Sequence, residues 1–317
     1  MVIETQRVDQ KNLPDFLVAL QGCWKSSSLL WMKAHGFPVL PGLILNGWEP
    51  KAEEAVSRFC RERNFSELLV RIEKPGQRWT RRRGGYTISV SEVHALVDEL
   101  AKEGMLTLLL EPASPYSDLY GLTSALDLAT GKVDLEVVGP GFDASDILRS
   151  DTTPHERFEA WFDLEAIRSG KGKNPQIILS HLIEPDAYRA SARRRLAKIG
   201  ARLRNPPFPE DVLQGASNSL AEQLQQEAAR YLRETGHTLL LNHLNEYRPI
   251  PGDLVEAFLR QLQRLFWAIT ASQIAWQHLS AAGSFLIQDN LVMWDFFSPG
   301  NENTSLLSKV TAKPISP

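Results

Sequence analysis

Short apolar runs alternate with an amphipathic segment over the first third of the chain. FPVLPGLIL at 37–45 and ELLVRIE at 67–73 have the pattern of strands, and PKAEEAVSRFCRERN at 50–64 has that of a helix. The apolar residues of this helix recur at spacings of three and four, which gives it one stripe: Ala52, Ala55, Val56 and Phe59. We expect this stripe to pack on a sheet, as in an α+β fold.

The pattern is rich in β structure as far as residue 141. A helix over SEVHALVDELAKEG, with Ser91 as its cap, precedes a strand at 105–112. Two further strands flank Ala129, Thr130 and Gly131, a natural hairpin turn.

Beyond His155 the periodicity becomes largely helical. Helices are predicted over 186–203, 219–236 and 253–280, and a terminal hairpin is predicted within 284–297. Thr153 in TTPHE is a suitable cap for a further helix beginning at Pro154.

These elements predict two α+β lobes with a cleft between them, in an ATP-grasp-like arrangement. The N-terminal lobe covers 1–110, and the C-terminal lobe covers 111–299 with a helical insertion at about 157–282. The polar tail 300–317 is expected to be partly disordered.

Composition argues against several classes of partner. The 317 residues carry a net charge of -3 with 23% charged residues, so no general attraction to nucleic acid or to an acidic membrane is implied. The only two cysteines, Cys23 and Cys60, lack metal-ligand spacing, which argues against zinc and favours a reducing compartment. Without an apolar leader or a run long enough to span a membrane, the protein is expected to be cytoplasmic.

Lys25 lies at the start of a helical pattern, in GCWKSSS. A lysine beside the free amides of a helix start can neutralise phosphate charge, and the helix dipole adds attraction. GCWKSSS is not a Walker A loop, and a solvated lysine beside a serine cap remains the alternative.

Arg71 and Asp295 are charged residues within apolar strands, where burial requires a partner. Arg71 can pair with Glu73 or bind a polyphosphate through its planar guanidinium. Asp295 can pair with an arginine or hold magnesium, which prefers carboxylate and phosphate oxygens.

Two glycine-bearing segments are candidate anion-binding turns. RWTRRRGGYT has Gly84 and Gly85, which let backbone amides approach an anion, although an exposed basic loop that contacts nothing or contacts nucleic acid fits equally. GPGFDASD at 139–146 is an anion-binding turn or a simple tight turn.

Several segments follow one another in the order of a known nucleotide-binding region. GCWKSSSL and GFPVLPG correspond to a GGKxxxL segment and a GxPVPPG strand entry, LVRIE to VRSS, LLLEP to an apolar strand near the adenine, and LVMWDFFSP to LLQxRP. In this order they resemble the ATP-grasp region at the N-terminus of phosphoenolpyruvate synthase and pyruvate phosphate dikinase. The resemblance extends over most of residues 20–299, and its one close string is GFPVLPG.

The resemblance implies a role for each candidate. Lys25 and Arg71 would bind phosphate, Gly84 and Gly85 would turn a loop over the phosphates, and Glu111 would lie near the adenine-facing hinge. In the metal site, Asp295 stands where the family has a glutamine, and Gln288 is the nearest counterpart of an acid in the preceding strand. The implied cofactors are ATP and Mg²⁺.

The reaction of those enzymes is not expected, because none of the seven histidines lies in the TxGGxxSH setting of their phosphohistidine domain.

The leading hypothesis is an ATP-dependent phosphotransferase (a kinase) or an acyl-phosphate-forming ligase, acting on an unknown small-molecule or protein acceptor. The alternative is a degenerate module that senses nucleotide or serves a separate partner subunit without turnover. A third possibility, nucleic-acid binding through Arg78, Arg81, Arg82, Arg83 and Arg193, predicts a steep salt dependence.

Overall fold

A computed structural model describes most of the chain. The described residues are 1–77, 86–111, 118–139, 155–169, 176–178, 185–206, 208, 213, 215–271, 277–286 and 290–297. Gly84, Gly85, Gln288, Arg78, Arg81, Arg82, Arg83, residues 140–146 and the tail 300–317 lie outside them.

The N-terminal part forms a five-stranded antiparallel sheet. Its strands are β1 (Val2–Glu4), β2 (Gly42–Leu45), β3 (Glu67–Glu73), β4 (Tyr86–Ser89) and β5 (Leu106–Leu110), in the spatial order β1-β2-β5-β3-β4. The helices of this part are α1 (Leu13–Ala19), α2 (Trp24–Ala34), α3 (Pro50–Arg63) and α4 (Val93–Lys102). Short 3-10 helices cover Thr5–Arg7 and Val90–Glu92.

The C-terminal part forms a six-stranded antiparallel sheet. Its strands are β6 (Asp118–Asp127), β7 (Lys132–Val138), β8 (Glu156–Trp161), β9 (Gln176–Ile178), β10 (His278–Leu286) and β11 (Leu291–Phe297), in the order β11-β10-β6-β7-β8-β9. The helices are α5 (Leu164–Arg168), α6 (Pro185–Leu203), α7 (Asn218–Glu234), α8 (Thr238–Asn245) and α9 (Gly252–Ala271). Among the described helices, none has both the length and the apolarity that a membrane span requires.

The two faces of the first sheet belong to different cores. Leu68, Val70 and Ile72 of β3 point to a core shared with α3 and α4. Alternate residues of the same sheet, such as Leu108, join a larger core that contains side chains of α1, α2, α9 and the second sheet. Because this larger core draws on both sheets, the two parts of the chain are packed together.

The predicted α+β fold class is confirmed by two antiparallel sheets with helices packed on them. Strand 67–73 has the predicted bounds, and the apolar stripe of α3 is buried as expected. Both predicted hairpins form, one between β6 and β7 and the other between β10 and β11.

Several predicted boundaries were wrong for identifiable reasons. The strand at 37–45 is confined to Gly42–Leu45, in line with the poor fit of Pro38 and Pro41, which lack an N–H, to a strand ladder. Ser91 does not cap α4: Ser89 caps the preceding 3-10 helix, with its Oγ accepting from the Ser91 N–H, and α4 starts at Val93 with Glu92 as an N-cap that makes no side-chain hydrogen bond.

The C-terminal half contains more strand than the periodicity indicated. A helix from Pro154 is contradicted because Glu156–Trp161 is β8, with Phe158 and Ala160 buried at alternate positions. The helix predicted to reach residue 280 ends at Ala271, and His278 already begins β10. The interval 157–282 therefore holds strands as well as helices.

Candidate functional site

The first turn of α2 is capped by a carboxylate from a distant strand. The N-cap residue Cys23 makes no side-chain capping bond. Instead, Oε1 of Glu73 accepts from the Lys25 N–H at 2.5 Å, and Oε2 accepts from the Ser26 N–H at 2.9 Å and from Ser26 Oγ at 2.7 Å. The last residue of β3 thereby satisfies donors that a helix start leaves open.

Glu73 is almost completely buried, at 1% exposure. Burial raises its pKa above the ordinary value, while the hydrogen bonds from Ser26 and Lys25 and the charge of Lys25 act in the opposite direction. The Lys25 ammonium donates to the carbonyl of Ile72 at 3.2 Å, so it lies against the end of the same strand. Backbone and side chain of Lys25 are both fixed by β3.

Arg71 extends from β3 to the edge strand of the second sheet. Its guanidinium donates to the carbonyl of Trp294 at 3.0 Å and lies 5.8 Å from the centre of the Trp294 ring. Glu73 had been the alternative partner for Arg71, but its carboxylate is hydrogen-bonded to α2 instead. Arg71 therefore links the two sheets.

Trp294 and Asp295 lie at an irregularity in β11. Ala282 of β10 pairs with Asp295, and Gly283 pairs with Met293, so Trp294 is an extra residue on β11. A bulge of this kind redirects side chains, and such bulges are common beside active sites. The indole N–H of Trp294 donates to Ser284 Oγ at 2.6 Å, which fixes the ring near Arg71.

Asp295 is held by α2 rather than by an arginine. Its Oδ1 accepts from Ser28 Oγ at 2.8 Å and from the Phe296 N–H at 2.9 Å. No arginine or lysine within the described ranges forms an ion pair with it, and no described donor contacts Oδ2. Among the described donors, those that contact Asp295 therefore engage Oδ1.

The outer edge of β11 is hydrogen-bonded by residues of the N-terminal part. Besides Arg71, Trp24 Nε1 donates to the carbonyl of Phe296 at 3.1 Å, and the Met293 N–H donates to the carbonyl of Pro38 at 2.7 Å. An edge strand exposes unpaired backbone groups, and here α2, the loop at Pro38 and β3 each satisfy one of them.

Asp295 belongs to a row of residues that crosses five strands of the second sheet. Ala282, Thr123, Glu136 and Arg157 follow it by direct cross-strand pairing. Arg157 Nε donates to Glu136 Oε1 at 3.2 Å at the far end. The position beside Asp295 on the preceding strand is therefore Ala282, which provides no metal ligand, and no cluster of three His, Cys, Asp or Glu suited to a metal occurs in the described part of the chain.

Glu111 lies away from these residues. It follows β5, and its N–H donates to the carbonyl of Pro41 at 2.8 Å. Glu73 pairs with Leu106 at the start of β5, and Glu111 lies five residues further along the chain in the same direction. At the spacing of residues in a strand, Glu111 is therefore about 17 Å from the level of Glu73.

The structure brings three of the predicted site residues into one cluster. Lys25, Arg71 and Asp295 are joined through Ile72, Trp294 and Ser28. Sequence reasoning missed Glu73 as the cap of α2 and Ser28 as the partner of Asp295. A glutamate at a strand end and a serine within a serine run gave no signal of contacts over 47 and 267 positions.

A second buried polar group lies at the far end of the second sheet. His155 is fully buried, and its Nδ1 accepts from the Gly139 N–H at 2.8 Å. Burial lowers its pKa to about 4. The neighbouring Glu156 accepts from the Tyr247 hydroxyl and from the Ile250 N–H. Because these groups bond to one another and to backbone, we interpret them as core.

Comparisons with known proteins add distant structural likenesses, of which three are described. No protein-family model and no curated protein matches the chain. D-alanyl-alanine synthetase A from Vibrio cholerae O1 biovar eltor is 11% identical with a TM-score of 0.34, over 93% of this chain and 61% of that enzyme. The D-alanine-D-alanine ligase from Coxiella burnetii is 12% identical with a TM-score of 0.28, over 72% and 63% of the two chains.

The third structure is D-cycloserine synthetase, at 15% identity and a TM-score of 0.23, over 70% of each chain. The chain spans less than two thirds of the length of the Vibrio cholerae and Coxiella burnetii enzymes. Likenesses this distant carry no information on substrate or site residues, and the assignment to the phosphoenolpyruvate synthase type stays a prediction from the sequence.

Proposed function

We propose that the chain binds ATP with Mg²⁺ at the cluster of Lys25, Arg71 and Asp295, and uses it for phosphoryl transfer or acyl-phosphate-forming ligation. The observation that carries the proposal is the convergence of three residues from α2, β3 and β11. They were selected from sequence for phosphate and metal binding, and they lie together where the two sheets meet.

The donor set fits a metal-bound polyphosphate. Lys25 offers a point charge and Arg71 a planar guanidinium, the two cationic groups that proteins use for phosphate oxygens. Asp295 keeps one carboxylate oxygen without a described donor, which suits a hard cation. Mg²⁺ would neutralise phosphate charge, and the fixed side chains would act mainly by positioning.

A second candidate is nucleotide binding without turnover, in a sensing or subunit role. Two observations favour it. Ala282 stands beside Asp295 where a second acid would complete a metal site, and Glu73 already occupies the amides of Lys25 and Ser26. Both candidates share the binding step and differ in the transfer of phosphate.

One experiment separates the two candidates. ATP binding is measured by calorimetry with and without Mg²⁺, and ADP release is followed with a panel of carboxylate and amine acceptors. Acceptor-dependent ADP release supports the enzyme, and binding without ADP release supports the sensing module. Absence of ATP binding up to millimolar concentration would contradict both.

A further inference from the structure

The anion bound at the start of α2 is the carboxylate of Glu73, a side chain of the same protein. A helix N-terminus attracts anions through its free amides and dipole, and ligands with phosphate commonly bind there. Here Glu73 uses both carboxylate oxygens on the Lys25 and Ser26 amides and on Ser26 Oγ. A phosphate that reaches the Lys25 ammonium therefore approaches a helix start that already carries a carboxylate, close enough for the charge of Lys25 to act on it.

Within the described part of the chain, the titratable groups that interact electrostatically with Glu73 are Lys25 and Cys23. Lys25 from α2 lowers the Glu73 pKa through its charge, and the buried Cys23 thiol has its own pKa raised to about 12 by burial and by the charge of Glu73. Arg71 lies two residues earlier on the same face of β3, and β11 presents Asp295 to the same helix. A ligand phosphate would add negative charge to this small set.

We propose that Glu73 is a positioning residue for Lys25 whose proton occupancy is linked to phosphate binding. The inference rests on the proposed function. When a ligand phosphate contacts the Lys25 ammonium, the nearby carboxylate takes up a proton from solvent, which removes the repulsion between the two anions. The carboxyl group keeps accepting from the amides of α2, so the helix start stays in place.

The sign follows from the direction of each effect. Burial already favours the neutral form of Glu73, and a second negative charge nearby favours it further. The complex then holds more protons than the free protein, so lower pH strengthens binding through this group. A purely structural capping role predicts no such proton uptake.

The test compares wild type with Glu73→Gln, which removes the charge and keeps the size. ATP is titrated calorimetrically at pH 6, 7 and 8, in two buffers of different ionisation enthalpy, and the number of protons taken up is derived. The contribution of the ATP phosphates is the same for both proteins and cancels in the difference. Glu67→Gln, at the exposed start of the same strand, is the matched control.

We expect wild type to take up a fraction of a proton more than Glu73→Gln. At pH 8 the variant should bind ATP on the order of fivefold more tightly, and the two affinities should approach each other as the pH falls. Ser26→Ala, which weakens the cap and keeps the charge, should lose stability while retaining the wild-type proton count.

The outcomes are distinguishable. Equal proton counts for wild type and Glu73→Gln, with ATP bound by both, overturn this inference alone. Failure of wild type to bind ATP overturns it together with the proposed function. If Glu73→Gln does not fold, the wild-type pH series decides. If wild type binds ATP and takes up no protons beyond those accounted for by the titration of ATP itself, the linkage is contradicted.

Discussion

The hydroxyl of Ser28 donates to Oδ1 of Asp295 over 2.8 Å and joins helix α2 to strand β11 across 267 positions of sequence. Ser28 is fully buried, and the carbonyl of Lys25 lies 3.1 Å from the same Oγ as a second acceptor that shares the one hydroxyl proton. One side chain thus ties the turn that carries Lys25 to the carboxylate proposed for the metal.

Replacing Ser28 by alanine should therefore weaken both the fold and the site. Loss of one hydrogen bond to a charged group in a buried setting is expected to cost about 1.5–3 kcal/mol of unfolding free energy, as measured by urea denaturation. Ser27→Ala is the control, because Ser27 is a buried neighbour whose hydroxyl makes no described side-chain hydrogen bond. Equal losses for the two variants would show that the bond to Asp295 contributes nothing specific.

Replacing Lys25 by methionine should reduce ATP affinity without unfolding α2. The methionine backbone still donates to Glu73, while the ammonium is removed. We expect a loss of at least about tenfold in the dissociation constant for ATP, about 1.4 kcal/mol. Lys33→Met, at the other end of the same helix, should bind ATP like wild type. Unchanged affinity in Lys25→Met would remove Lys25 from the site.

Replacing Asp295 by asparagine should abolish the gain in ATP affinity that Mg²⁺ provides. The amide oxygen can still accept from Ser28 and from the Phe296 N–H, so the strand is expected to keep its place. The ratio of ATP dissociation constants with and without Mg²⁺ is the measurement. Asp134→Asn, an exposed acid of the second sheet, should retain the wild-type ratio. A retained ratio in Asp295→Asn would place the cation elsewhere.

Acidification should destabilise the fold through His155. Its pKa is lowered to about 4 in the folded state, against 6.5 for an ordinary histidine, so the unfolded chain binds more protons between these values. The contribution of neutral His155 to the free energy of unfolding is therefore complete above pH 6.5, and it falls by up to about 3 kcal/mol as the pH approaches 4.

Glu73 contributes to the pH dependence of the free energy of unfolding with the opposite sign, because its raised pKa favours the folded state as the pH falls. Variants separate the two contributions: His155→Gln can still accept from Gly139 and should show a flatter urea-unfolding profile between pH 7 and 4.5. His94→Gln, at an exposed histidine, should follow wild type. A wild-type slope in His155→Gln would assign the acid sensitivity to other groups.

Replacing Gly200 by alanine should disrupt the contact between α6 and α7. A Cβ at this position would lie 2.0 Å from the carbonyl oxygen of Leu224, which is backbone and cannot turn aside. The helices must separate, and we expect a loss of about 2–4 kcal/mol, measured by thermal unfolding. Gly252→Ala, where a Cβ would meet no atom of the other described residues within 4 Å beyond its neighbours in the chain, should leave the melting temperature nearly unchanged.

Local pattern was sufficient for much of the fold. Apolar spacings of three and four located α3, a short apolar run located β3, and turn residues between apolar runs located both hairpins. Capping signals failed at Glu156–Trp161, where helix-start residues precede a strand whose cross-strand partners lie in β7. Pairing with a distant strand overrides local capping signals.

The candidate site was only partly predictable for the same reason. Charge within apolar strands indicated Arg71 and Asp295, since buried charges require partners. The partners themselves, Trp294 and Ser28, depend on which strand lies at the edge of the second sheet and on a bulge in β11. Neither strand order nor a bulge has a local sequence signature in this chain.

The hydrogen bond between α2 and the edge of β11 also determines when the N-terminal part can complete its packing during synthesis. Trp24 and its acceptor at Phe296 are separated by 272 positions, so at 5–20 residues per second the acceptor is synthesised roughly 14–54 s after the donor. During that interval Trp31, which packs against Phe296 in the folded protein, lacks its final neighbour. The N-terminal part is therefore expected to keep an unfinished apolar surface until β11 has been synthesised, and such a surface is a natural target for chaperones.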